Sequence, residues 1–244
     1  MTFYKQIQAA ATAGKKLFAV LVDPDKCAGN SLPHFAELAC TTRPDFIFIG
    51  GSLTAESTDK AIAIIKQHCD IPVILFPGSA AQFSPVADAI LYLSLISGRN
   101  ADFLIGQHVL SAPFIRHSGI ETISTGYMLI ESASVTAVEY MSNTRPIPRD
   151  KPDIAVATAI AGELLGNRLI YLEAGSGASL PIPAEVISAV KKNISVPLIV
   201  GGGLRSESDI RNALGAGADI IVVGNMLEKQ PEMMLRFSKI IHEF

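Results

Sequence analysis

The chain has 244 residues, 49% hydrophobic and 18% charged, which is enough apolar content to bury a sizeable core and unlike a disordered or fibrous composition. A net charge of −3 and an isoelectric point near 6.0, with no run of like charges, provide no basic field, so no nucleic-acid partner is expected. Three cysteines, Cys27, Cys40 and Cys69, lie far apart without a CxxC pair and suggest neither a disulfide framework nor a zinc site, only idle thiols in a reducing compartment.

From the N-terminus, "MTFYKQIQAAATAGKK" lacks the apolar region of a signal peptide, and no later segment approaches the roughly 18 uninterrupted apolar residues of a membrane span. A soluble, cytoplasmic protein with no integral membrane segment is expected. The mean hydropathy of +0.35 is high for such a chain and leaves room for a greasy cleft or a subunit contact.

Short runs rich in Val, Ile, Leu and Phe then follow at 17–22, 45–50, 72–76, 89–94, 123–130, 168–173, 197–202 and 219–224. Each has strand length and is apolar on both faces, as in a parallel sheet covered on both sides. Helical spacing fills 31–40, 57–69, 101–117, 151–166, 183–193 and 207–217, whereas "GSAAQFSPVADA" after the third run is short and interrupted by proline. This alternation predicts a single (β/α)₈ TIM-barrel domain over 1–244, with an irregular or missing helix after strand three; a doubly wound open sheet is the alternative. The stretch 131–152, with "NTRPIPRDKP", reads as a βα-loop insertion and not a domain boundary.

In a barrel the chemistry belongs at the C-terminal ends of the strands. Run seven ends in Gly201, Gly202 and Gly203 ahead of a helix opening with Ser206, Glu207 and Asp209, and run eight ends in Gly224 and Asn225. Glycines let an anion approach backbone N–H groups, so the paired turns point to a phosphate site. After run six, "YLEAGSGA" sets Glu173 at the strand end, where its carboxylate can accept hydrogen bonds from a hydroxylated ligand or take a proton, with Tyr171 and Ser176 beside it. After run one, "VDPDK" offers Asp23 as an oxygen ligand for Mg²⁺, and "GGS" brings Ser52 to the neighbouring strand end; Asp25 is explained by capping alone. "FPGS", Arg99 and Asn100 are candidates for a second anionic group, and the five histidines show no metal spacing.

In this order, "VDPDK", "GGS", "FPGS", "PIPRDKP", "YLEAGSGA", "VGGGLRS" and "VVGN" resemble the geranylgeranylglyceryl phosphate synthase family and its bacterial PcrB-like relatives over about residues 15–230. The resemblance implies a Mg²⁺-dependent prenyltransferase on a modified TIM barrel, joining the C3 hydroxyl of sn-glycerol 1-phosphate to an allylic prenyl diphosphate, and a homo-oligomer. It implies Asp23 and Ser52 as Mg²⁺ ligands. It implies Tyr171, Leu172, Glu173, Ala174, Gly175, Ser176 and Gly177 as the glycerol-side segment, with Glu173 and Tyr171 catalytic. Gly202, Gly203, Gly224 and Asn225 are implied to hold the phosphate. Some members carry a Lys two residues before the metal-binding Asp; this chain has Leu21 there, and Lys26 is not assigned to replace it. The competing readings are a sugar-phosphate enzyme on the same scaffold and a non-catalytic phosphate-binding barrel.

Overall fold

The computed structural model describes residues 2–27 and 31–244. Eight strands, β1 (Leu17–Val22), β2 (Phe46–Ile49), β3 (Val73–Leu75), β4 (Ala89–Leu95), β5 (Glu121–Leu129), β6 (Leu169–Glu173), β7 (Leu198–Gly201) and β8 (Ile220–Val223), pair in parallel with their successors. β8 pairs with β1, so the sheet closes into a barrel and the open-sheet alternative is excluded.

The described helices are α1 (Phe3–Thr12), α2 (Ser31–Thr42), α3 (Thr58–His68), α4 (Gln107–Ser118), α5 (Ala137–Ser142), α6 (Pro152–Leu164), α7 (Ala184–Lys191), α8 (Glu207–Gly215), α9 (Asn225–Lys229) and α10 (Met233–His242). A turn of π-helix, Asp102–Gly106, leads into α4. After β3 the chain makes only a short 3₁₀ turn, Ala80–Gln82, because too few residues separate β3 from β4 for a helix and Pro85 interrupts them.

The strands lack polar alternation because both faces are buried. Phe48, Ile74, Leu91, Tyr171 and Ile199 point into the barrel, while Val20, Ile47, Leu75, Leu172 and Val200 face the helices. Helix and strand come close where Gly162 of α6 and Gly126 of β5 both face the Ile96 and Ile170 side chains.

The N-terminal helix, absent from the sequence expectations, joins the interior cluster through the buried Ile7. Its first turn is held by the Glu121 carboxylate, which accepts hydrogen bonds from the Phe3 and Tyr4 amides at 2.6 and 2.8 Å. Between β7 and β8, on the side of the strand N-termini, Asp219 is buried, pairs with Lys191 at 2.5 Å and accepts the Leu198 amide at 2.8 Å. Cys40 and Cys69, distant in sequence, come together with Asp70 within 4.8 Å on the outer helices. Among the described residues, no helix is long and apolar enough to cross a membrane.

A candidate active site at the strand C-termini

A cleft of about 740 Å³ opens over the C-terminal ends of the strands. Its walls bring together Asp23 and Lys26 after β1, Ser52 after β2, Tyr171, Glu173, Gly175, Ser176 and Gly177 from β6 and its loop, Gly202 and Gly203 after β7, and Gly224 with Asn225 after β8. Two residues of the glycerol-side segment are not on this wall. Leu172 is fully buried on the outer face of β6, and Ala174 packs into the same helix-facing core, because side chains along a strand alternate. Arg99 and Asn100 also leave the expected role: Arg99 donates to the Gly98 carbonyl at 2.7 Å and Asn100 to the Ser142 carbonyl at 2.7 Å, holding the β4–α4 loop.

Glu173 is the buried acid of the cleft. Its Oε1 accepts the Gly175 amide at 2.7 Å. Burial pushes its pKa up to about 7, against the opposing pull of the Gly175 N–H and the nearby Tyr171 hydroxyl. The Tyr171 hydroxyl is itself buried beside the Glu173 carboxylate, close enough to feel it but without a well-formed hydrogen bond. Loss of solvent and the neighbouring Glu173 charge hold it well above the ordinary tyrosine range, so it stays a donor.

The glycines have separable reasons. Gly201 leaves room for the Tyr171 hydroxyl, which a Cβ there would strike. Gly202, at φ +79°, faces Glu173 Oε1 and the Ala174 and Gly175 amides, and Gly203, at φ +70°, abuts the Leu180 carbonyl. Both positions need a left-handed backbone and no side chain. The α8 N-terminus behind them carries a capping box, Ser206 accepting the Asp209 amide at 3.2 Å and Asp209 the Ser206 amide at 2.9 Å.

At the end of β1, beside the β8 turn, Asp23 Oδ2 pairs with Lys26 Nζ at 2.9 Å and Oδ1 accepts the Asp25 amide at 3.2 Å. Gly51 lies against the Asp23 carboxylate, and Ser52, the next residue, lines the same wall. A carboxylate and a hydroxyl on adjacent strand ends form a hard oxygen donor set that suits Mg²⁺. Asp25, expected as a helix cap, is structural in another way: its carboxylate accepts the Ala55 and Glu56 amides at 2.8–3.0 Å and fastens the β2–α3 loop.

A second, apolar groove adjoins the cleft where the helix after β3 is missing. It runs between Phe76, Phe83, Leu93, Phe103, Val138 and Met141, and ends among Tyr92, His108 and Ser111. His108 is buried with Nε2 3.2 Å from the Ser94 hydroxyl, and burial lowers its pKa, which favours a neutral ring. Phe76 and Tyr127 line both spaces, and their rings pack on Tyr171 with centroids at 5.4 and 5.3 Å. Sequence reasoning passed over Tyr127 and Glu228, took Phe76 only as part of the "FPGS" turn, and left Lys26 without a role. Phe76 stood at the end of a marked strand, but Tyr127 lay within one, and only the register of β5 turns it inward.

The PcrB family model matches residues 11–241 of the chain. A geranylgeranylglyceryl phosphate synthase of Spirosoma linguale is 49% identical over 233 residues, covering 95% of this chain and 94% of that one. A protein of the same name from Chitinophaga pinensis is 50% identical over 230 residues, covering 94% and 91%. Among solved structures, (S)-3-O-geranylgeranylglyceryl phosphate synthase of Thermoplasma acidophilum in complex with sn-glycerol-1-phosphate superposes with a TM-score of 0.94 at 33% identity over the whole of both chains.

Proposed function

The chain belongs to the PcrB family, and on that premise we propose that it joins the C3 hydroxyl of sn-glycerol 1-phosphate to an allylic prenyl diphosphate of the geranylgeranyl class, releasing diphosphate. It is a prenyltransferase of the geranylgeranylglyceryl phosphate synthase type. The observation that carries this assignment to its own residues is the junction of a polar cleft and an apolar groove at Phe76 and Tyr127. A sugar-phosphate enzyme needs only the first space. A prenyl ether needs both, meeting at the reacting carbon.

The glycines after β7 and β8 and the Asn225 side chain hold the phosphate, while Tyr171 and Ser176 hold the glycerol oxygens. The Tyr171 hydroxyl, buried beside the Glu173 carboxylate without a well-formed hydrogen bond, gains a better acceptor when glycerol binds. In the reaction the allylic C–O bond breaks and its electron pair leaves with diphosphate. The C3 oxygen forms the ether bond to the allylic carbon, and its proton passes to the Glu173 carboxylate. A base held near 7 suits this transfer, because the hydroxyl becomes acidic only as the new bond forms. The faces of Phe76, Tyr127 and Tyr171 favour the positive charge that develops at the allylic carbon. Asp23 and Ser52 would hold Mg²⁺, which when bound supplies charge neutralisation for the departing diphosphate.

The exposed apolar side chains Val109, Leu110 and Phe114 on α4, with Leu164 and Leu165 at the end of α6, are our proposed contact between copies of the chain. The catalytic assignment is tested by incubating the protein with Mg²⁺, sn-glycerol 1-phosphate and prenyl diphosphates of several lengths, followed by mass spectrometry. The expected product is the prenyl ether of glycerol phosphate; its absence with every chain length overturns the reading.

A further inference from the structure

We propose that Lys26 is the cationic anchor for the phosphate of the glycerol substrate, an assignment that rests on reading the cleft as a glycerol phosphate site. The wall of that cleft carries three carboxylates, Asp23, Glu173 and Glu228, so a phosphate dianion held by backbone amides alone meets a repulsive field. Three cations line the same cleft, Lys26, Arg205 and Lys229. Arg205 turns away from the task, donating through Nη2 to the Ala178 carbonyl at 2.6 Å. Leu21, whose Cβ and carbonyl back the Gly224 turn, brings no charge there.

Lys26 is placed for it. The pairing of β1 with β8 sets the β1 loop beside the Gly224–Asn225 turn, and Lys26 Nζ lies 3.3 Å from Asn225 Oδ1 and 3.4 Å from Ser176 Oγ. It therefore spans the glycerol-side loop after β6 and the phosphate turn after β8. The same ammonium is 2.9 Å from Asp23 and 3.9 Å from Glu228, which hold it over the cleft on a half-exposed, flexible stem. An exposed pair of this kind adds little to stability, whereas an ammonium with three donors beside a phosphate site adds directly to affinity.

Calorimetric titration of sn-glycerol 1-phosphate, without metal or prenyl diphosphate, tests the assignment on the full chain. Lys26→Met is expected to raise Kd by about tenfold or more, the scale of a lost charged hydrogen bond. Lys26→Arg is expected to restore most of the affinity, and prenyl diphosphate binding in Mg²⁺ to change by clearly less than glycerol phosphate binding in both. A Kd for Lys26→Met within about twofold of the parent, no rescue by Arg, or an equal loss for prenyl diphosphate overturns it. If the parent protein fails to bind sn-glycerol 1-phosphate, the functional reading falls instead, and the same comparison made with inorganic phosphate decides Lys26 separately.

Discussion

Glu173 and Gly202 face each other across the β6–β7 pair, the backbone of Gly202 so near the Glu173 Oε1 that no Cβ fits between them. The acid keeps its position because the residue just past the end of the neighbouring strand has no side chain. Gly202→Ala must therefore displace the carboxylate and strain a left-handed backbone, at a cost of about 1–3 kcal/mol. The expected outcome in steady-state kinetics is a KM for glycerol phosphate raised about tenfold or more, before the KM for the prenyl substrate moves.

Glu173→Gln preserves the shape and the acceptor for Gly175 but cannot take a proton. Turnover is expected to fall by roughly 10²–10⁴-fold in a folded protein. Unchanged turnover would remove the general-base role.

The raised pKa of Glu173 sets a pH dependence in both activity and stability. Activity is expected to rise as pH increases through about 7, where the carboxylate ionises. Stability runs the other way. The folded form holds the proton to about 7 and the unfolded form releases it near the ordinary glutamate value of 4.5, so stability is lost as pH rises between those values. Glu173→Gln should flatten this fall, measured as Tm against pH from 4 to 8; a parent protein whose Tm shows no such difference from the variant contradicts the buried acid.

Asp23→Asn is expected to reduce Mg²⁺-dependent turnover by at least about tenfold, or about 1.4 kcal/mol of transition-state stabilisation. Chelation of divalent cations with EDTA is expected to abolish it. Full activity of the parent in EDTA would end the metal assignment.

At the opposite end of the barrel, Asp219→Ala leaves Lys191 without its partner and the Leu198 amide without its acceptor. Chemical denaturation is expected to show a loss of about 2–4 kcal/mol, with KM for both substrates unaltered in the protein that remains folded. A change in KM without a change in stability would contradict the division of labour between the two ends.

The strand count, the parallel order and the weak segment after strand three were legible because each depends on local composition: an apolar run buried on both faces, a helix with its own spacing, a proline where a helix would need to continue. The rim residues were legible for a related reason, since in an alternating chain whatever follows an apolar run lies at a strand end. Leu172 and Ala174 show where this stops. They share a segment with Tyr171 and Glu173, but the pleat turns them to the helices, and only the closed barrel says which face is which.

What sequence alone determined was the scaffold and the identity of the acids and glycines at its mouth, because residue type and period act over a few positions. What tertiary structure decided was proximity between parts distant in the chain. Lys26 reaches Ser176 and Asn225, 150 and 199 residues away, because closure sets β1 beside β8. Phe76 and Tyr127 meet Tyr171 because β5, β6 and the residue just after β3 turn those rings inward. Glu173 titrates near 7 because the folded barrel excludes water from it. None of these distances is encoded at short range; each is fixed by packing that exists only once all eight strands have closed.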